Sequence, residues 1–357
     1  MLKIGVLGAT GMVGQKYISL LENHPWFEVT FLAASLQSAG KAYSEAVAGR
    51  WHMEKAIPKK ITNLTVYDVA NLTQAANCDF VFSALSSGAA KEWEHKYAAA
   101  GIPVVSNAST HRGDSDVPML IPEINHQHLD LIDSQKQKRG WEKGFIVVKP
   151  NCSLQSYMTP LYALREFGIK KVVVSTLQAL SGAGYPGPSA FTMIDNVVPF
   201  IGGEEKKTEL EPLKILGTIQ NGEIVNSTEL TITAHCNRVP VLDGHLACVS
   251  IEFERPPTKE QILEKWKNFK SVPQELDLPL APQQPIIYRE EDDRPQPRVD
   301  RDTDKGMAVT VGRLRECPLF HWKFVGLSHN TVRGAAGGGI LNAELLKARG
   351  YFENGNN

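Results

Sequence analysis

The chain lacks the features that tie a protein to nucleic acid, to lipid or to an oxidising compartment. Its 38 Lys and Arg stand against 39 Asp and Glu, for a net charge of -1. No overall field therefore draws it to an anionic polymer or membrane surface, and an anionic substrate must be gripped locally. No run approaches the roughly 18 apolar residues of a membrane span, and the opening MLKIGVLGATGMVG carries no basic leader followed by a cleavable apolar segment. A soluble, cytoplasmic protein is expected, with neither nucleic acid nor membrane as partner. Cysteine is sparse: Cys78, Cys152, Cys236, Cys248 and Cys317 are odd in number and scattered, with no Cys-x-x-Cys pair. That pattern argues against a disulfide frame or a zinc site and leaves free thiols, at least one a candidate nucleophile; no metal is expected.

At 357 residues the chain exceeds what one core usually organises, so two domains with a cleft between them are expected. The apolar run Lys3 to Leu7, the glycine cluster and a helical pattern through Ile18, Leu20 and Leu21 read as strand, turn and helix, and Phe27 to Ala34 reads as a second strand. Asp79 to Ala84, Ile102 to Ser106 and Phe145 to Val148 are further buried-strand candidates, so the first part is doubly wound α/β. From about residue 153, β-branched runs at Lys171 to Thr176, Leu230 to Thr233 and Ala247 to Phe253 predict a larger mixed sheet. Val272 to Arg301, rich in Pro, Gln and acidic residues, reads as an extended surface excursion. A glycine-rich entry, His329 to Gly339, precedes an apolar helix, Ile340 to Leu346, that could return to the first domain.

Gly8-Ala9-Thr10-Gly11-Met12-Val13-Gly14 spaces its glycines three apart between a strand and a helix. Backbone N–H groups there can approach a pyrophosphate, whose charge the helix N-terminus favours. A tight structural turn is the plainer alternative, and the strand before and the helix after favour dinucleotide binding over it. The second strand ends without the carboxylate that an NAD-preferring site places on the ribose hydroxyls. Ser35, Ser38 and Lys41 stand there instead, which favours NADP. Lys149-Pro150-Asn151-Cys152-Ser153 follows a strand and precedes the helical pattern Tyr157 to Phe167, placing Cys152 near a helix N-terminus, where a thiol pKa is lowered. Cys236 to His245 offers Arg238 as a carboxylate clamp and His245 as a proton donor or acceptor. Ser106 to Arg112 ends in an arginine suited to phosphate, while Glu204-Glu205-Lys206-Lys207 by itself reads as a solvated helix face.

Together GATGMVG, SNASTHR, PNCS, SGAGYPG, CNRVPVLDGH, RPQPRVDRDTDKGMAVTVGRLR and SHNTVRGAAGGG, in that order, resemble the aspartate-semialdehyde dehydrogenase family, particularly its archaeal and fungal branch. The resemblance implies an N-terminal Rossmann dinucleotide-binding domain over 1–152, completed by the C-terminal segment from about 330. An α+β catalytic and dimerisation domain of the glyceraldehyde-3-phosphate dehydrogenase-like type would span 153–329. It further implies NADPH-dependent reductive dephosphorylation of aspartyl 4-phosphate to aspartate semialdehyde through a cysteine thioacyl-enzyme, on the route to lysine, methionine, threonine and isoleucine. Aspartyl phosphate and phosphate would be the small-molecule partners, and the protein a homodimer or homotetramer.

Carried residue by residue, the resemblance makes Cys152 the nucleophile, His245 the acid/base and Gln178 the residue orienting the substrate. Arg238 would hold the substrate carboxylate, Arg112 with Lys207 the phosphate, Asn107 joining them, and Glu204 would face the amino group. Cofactor contacts would come from Gly8, Thr10, Gly11, Met12, Val13 and Gly14, from Ser35, Ser38 and Lys41, from Ser86, Ser87 and Gly88, and from Ser181, Gly182, Asn330 and Gly334. One departure stands out: Leu154 and Gln155 follow Ser153 where most of the family carries smaller residues. Malonyl-CoA reductase, a sister group on the same scaffold, is the nearest alternative. A non-catalytic NADP-binding redox sensor is the alternative from another class.

Overall fold

The structure, a computed structural model, describes residues 1–353. Short runs of Val, Ile and Phe in the first part are buried on both faces, as parallel strands covered by helices must be. β1 (Leu2–Leu7), β2 (Phe27–Ala34), β3 (Val66–Asp68), β4 (Phe80–Ser83), β5 (Val104–Ser106) and β6 (Ile146–Val148) form one sheet in the order β3-β2-β1-β4-β5-β6. Every neighbouring pair is parallel. The winding reverses between β1 and β4, so the carboxyl ends of these strands open a crevice. Gly8 makes the turn after β1 with φ +74°, and a Cβ on Gly14 would stand 2.2 Å from the Gly8 carbonyl oxygen. Only glycine lets the helix Met12–Leu20 start this close to the strand.

The second sheet is mixed, as its longer β-branched runs predict. β7 (Ile169–Gln178) is followed by a separate hairpin, β8 (Thr218–Gln220) and β9 (Glu223–Val225). β10 (Thr231–Arg238), β11 (His245–Phe253), β12 (Ile286–Arg289), β13 (Val309–Glu316) and β14 (Trp322–Ser328) then complete the order β10-β7-β11-β14-β13-β12. Val172, Val174, Val249, Ile251 and Phe324 point inward onto Leu154, Leu161 and Trp266, while Thr233, His235 and Cys248 on the alternate face are exposed. The helix Gly337–Ala348 carries Ile340, Leu341, Leu345 and Leu346 back into the core formed by Ile4, Val6, Phe80 and Phe82. Glu344 on that helix meets His24 Nε2 at 2.8 Å.

Two expectations fail. Tyr157 to Phe167 is no continuous helix: a 3-10 turn Cys152–Ser156 leads into a short helix Met158–Tyr162 and a second 3-10 turn Arg165–Phe167. Residues 153–161 are buried all round, so tertiary packing overrides the helical spacing, and Pro160 removes one helical donor. Val272 to Arg301 is likewise no bare excursion. It contains the helix Val272–Glu275, the edge strand β12 paired in parallel with β13, and the helix Pro297–Asp300. Elements of four residues are too short for a period to show, and the pairing of β12 comes from a strand distant in sequence.

Candidate active site

A cavity of about 870 Å³ lies where the carboxyl ends of the first sheet meet the second domain. Met12 and Val13 after β1, Ser86 and Ser87 after β4, Asn107 after β5 and Cys152 after β6 line it from one side. Gln178, Arg238, Glu204 and Lys207 line it from the other. The sheet topology therefore brings together residues that are up to about 320 positions apart in sequence, with Asn330 and Gly334 closing the floor. No helix of the described residues is long and apolar enough to cross a membrane, and among them no cluster of His, Cys, Asp and Glu suits a metal ion.

Cys152 opens the 3-10 turn, which Asn151 caps: its side-chain oxygen accepts from the Ser153 N–H at 2.8 Å. Nε2 of His245 lies 3.3 Å from the Cys152 sulfur, and His245 itself is fully buried. The backbone N–H of Ala179 donates to its Nδ1 at 3.0 Å. Gly182 covers the pair so closely that a Cβ would meet Arg238 at 3.0 Å and the His245 ring at 3.1 Å. Burial, joined by Arg238, His329 and Lys149, holds the His245 pKa down at about 3, so the imidazole is neutral at physiological pH. The expected lowering of the Cys152 thiol is not found. Burial and then Glu204 push it above its usual range, and Lys149, Arg112 and Arg238 pull it back only in part. A five-residue 3-10 turn has little dipole to offer against that desolvation.

The two arginines are held in different ways. Arg238, buried, donates from Nη1 to the Ala179 carbonyl at 2.5 Å and meets no carboxylate within 4 Å among the described residues, so its charge remains available to an anion in the cavity. Arg112 donates to the Asn107 carbonyl at 2.9 Å and pairs with Glu211 at 3.0 Å. Glu211, missed in the sequence, also accepts the Asn151 N–H at 2.6 Å and so ties Arg112 to the nucleophile's loop. Its signal was the helical spacing Glu204, Lys207, Glu211 on the helix Glu204–Ile215. Glu204 accepts from Asn151 Nδ2 at 2.7 Å and from Lys207 at 3.2 Å. Both its oxygens are thus engaged, which limits it as a partner for an amino group. Gln178 is buried, bonds Thr176 Oγ1 at 3.2 Å and faces the cavity. The Asn107 side chain turns to the Tyr17 hydroxyl rather than to Arg112.

The predicted cofactor residues divide. Met12, Val13, Ser86, Ser87, Ser181, Gly182, Asn330 and Gly334 line the cavity, whereas Gly8, Gly11 and Gly14 shape the turn behind it, Thr10 offers its carbonyl to Gln15, and Gly88 lies in the first turn of the helix Ser87–Ala99. Asn330 joins the two walls, donating to Ser181 Oγ and accepting the Gly244 N–H, each at 2.8 Å. Beyond β2, Ser35 and Lys41 are exposed, while Ser38 is buried and accepts from Arg50 at 3.1 Å. Arg50, twelve residues past Ser38 and without a motif, was not legible in the sequence. A guanidinium on Ser38, at the end of a strand without a carboxylate, fits a ribose phosphate.

Models of the semialdehyde dehydrogenase NAD-binding domain and of the semialdehyde dehydrogenase dimerisation domain match residues 3–132 and 158–333. The chain is 48% identical to aspartate-semialdehyde dehydrogenase of Archaeoglobus fulgidus, over 96% of this chain and 97% of that one. It is 46% identical to the enzyme of that name from Schizosaccharomyces pombe, over 98% and 99%. Its fold superposes on a crystal structure of aspartate semialdehyde dehydrogenase with NADP from Candida albicans with a TM-score of 0.89, at 41% identity over 98% and 99% of the two chains.

Proposed function

The chain belongs to the aspartate-semialdehyde dehydrogenase family, and on that premise we propose that it reduces L-aspartyl 4-phosphate to L-aspartate 4-semialdehyde with NADPH, releasing phosphate. The observation that carries this reading is the Cys152 sulfur 3.3 Å from His245 Nε2, in a cavity lined by two guanidinium groups, Arg112 and Arg238. NADPH is supported by the glycine turn at the switch point, by Arg50 with Ser38, and by the relative solved with NADP. The helix start at Met12 with Ser86 and Ser87 would hold the pyrophosphate, and Asn330 and Gly334 the nicotinamide. When bound, the cofactor supplies the hydride.

The Cys152 thiolate attacks the acyl carbon, the C–O bond to phosphate breaks, and a thioester remains on Cys152. Arg238 orients the substrate carboxylate, while Arg112 and Lys207 stabilise the departing phosphate. His245 donates from Nε2 to the oxygen as negative charge gathers on it. After hydride addition the alkoxide reforms its carbonyl and expels the Cys152 sulfur as thiolate, which returns the site to its starting charge. Leu154 and Gln155 are buried and do not line this cavity, which supports no direct contact between them and the substrate.

The dimerisation-domain match and the exposed alternate face of the second sheet support a homo-oligomer, dimer or tetramer. Phosphate-dependent reduction of NADP by aspartate semialdehyde tests the reading. A redox sensor would bind NADP without turnover, and reduction of malonyl-CoA in its place would assign the sister activity. The comparisons favour neither alternative.

A further inference from the structure

Among the described residues, the charges around Cys152 leave two buried cations without a carboxylate partner. Arg112 pairs with Glu211 at 3.0 Å, Lys207 with Glu204 at 3.2 Å and Arg333 with Glu123 at 2.9 Å. Among the described residues, Arg238 and Lys149 have no carboxylate within 4 Å. Arg238 faces the cavity, where a substrate anion arrives. Lys149 does not: it is 2% exposed, three residues before Cys152, and its amine donates to one protein acceptor, the Pro150 carbonyl, at 2.8 Å. An ammonium left this dry costs several kcal/mol unless an opposite charge accompanies it.

Lys149 also borders a second, small cavity of about 10 Å³, room for a single water centre, walled in part by Gln155, Glu123, Arg333 and Asn342. Glu123 Oε2, Arg333 Nε and both polar ends of Asn342, all buried, have no partner. The polar wall could hold one water against the amine. Gln155, the departure after the nucleophile, belongs to this wall and not to the substrate cavity.

We propose that Lys149 is a positioning residue for Cys152: its buried amine supplies, from behind the substrate cavity, the positive charge that stabilises the nucleophilic thiolate. The charged groups facing the pair are Arg112, Glu211 and Arg333 around Lys149, and Glu204, Arg112, Arg238 and neutral His245 around Cys152. Burial, reinforced by Arg112, holds the lysine pKa down at about 7, which Cys152 and Glu211 raise in turn. The two groups therefore titrate as a pair. The catalytic cycle releases a thiolate when the sulfur is expelled, and a cation beside the sulfur favours that form over the thiol.

The inference rests on Cys152 being the nucleophile, but its test needs no substrate. Iodoacetamide labelling of the full chain, with and without NADP, is followed against pH by mass spectrometry of the peptide bearing Cys152. In Lys149→Met the labelling midpoint should rise by about one unit, so that labelling at pH 7 slows roughly tenfold. A purely structural role would leave the midpoint in place, and an unchanged or lowered midpoint in folded, NADP-binding Lys149→Met overturns the proposal. The reciprocal measurement decides alone if that variant does not fold. By linkage, the Lys149 ammonium, followed by carbon NMR of labelled lysine, should persist to higher pH in the wild type than in Cys152→Ser. Identical Lys149 titrations in the two proteins overturn the proposal. Loss of turnover in Cys152→Ala tests the nucleophile separately.

Discussion

The backbone N–H of Ala179 donates to Nδ1 of His245 at 3.0 Å, which leaves the proton of the neutral ring on Nε2, 3.3 Å from the Cys152 sulfur. Facing the thiol with a lone pair would require the proton on Nδ1, against the Ala179 N–H. His245 is therefore built to donate a hydrogen bond to sulfur and substrate oxygen, the acid half of an acid/base role. Nitrogen NMR of labelled histidine should show this tautomer unchanged from neutral pH down to about pH 5. Because the folded pKa lies near 3, below the unfolded value, the unfolded chain binds the extra proton first. This site accordingly costs stability as pH falls from the ordinary histidine range toward 3, and His245→Asn should flatten that part of the stability profile.

Gly182→Ala should damage catalysis more than folding. Its methyl would press on Arg238 Nη1 at 3.0 Å and on the His245 ring at 3.1 Å, and displacing either by a few tenths of an ångström spoils a catalytic alignment. A fall in kcat/KM of about tenfold or more with a nearly unchanged melting temperature is expected. Wild-type kinetics would show that Gly182 does not hold this alignment.

The strand, glycine turn and helix at the N-terminus, and the cysteine after a strand, were legible because each depends on neighbours in sequence. Lys149, Glu211 and Arg50 were not. A lysine at the end of a strand looks like any strand terminus, and Glu211 and Arg50 matter only through partners brought close by folding. The raised thiol pKa escapes the motif for the same reason, since burial is a property of the packed site and not of the sequence around Cys152.

The two arginines should fail differently. Arg238→Lys should weaken use of the semialdehyde with little effect on phosphate, and Arg112→Lys should raise the phosphate requirement. Each loses a forked pair of bonds worth about 1.5–3 kcal/mol, or roughly ten to a hundred and fifty-fold in the affected specificity constant. Kinetics with each ligand varied in turn checks this, and equal impairment of both ligands in both variants would refute the assignment.

Cofactor choice should rest on Arg50. Arg50→Ala removes the guanidinium that meets Ser38, and the expected result is weaker NADP binding with NAD spared. Ser38→Asp should have the same sign, because a carboxylate there would occupy Arg50 and repel a ribose phosphate. Calorimetric titration with both dinucleotides distinguishes this from a general loss of the fold, which would weaken them alike.

The central claim is that Cys152 forms a covalent bond to the acyl group. Cys152→Ala should retain NADP binding while losing turnover, and wild-type protein mixed with aspartate semialdehyde and NADP without phosphate should carry a thioester on the Cys152 peptide by mass spectrometry. Removal of a nucleophile of this kind costs on the order of a millionfold. If Cys152→Ala kept more than about a thousandth of the wild-type rate, or the adduct appeared on another cysteine, the account would be contradicted.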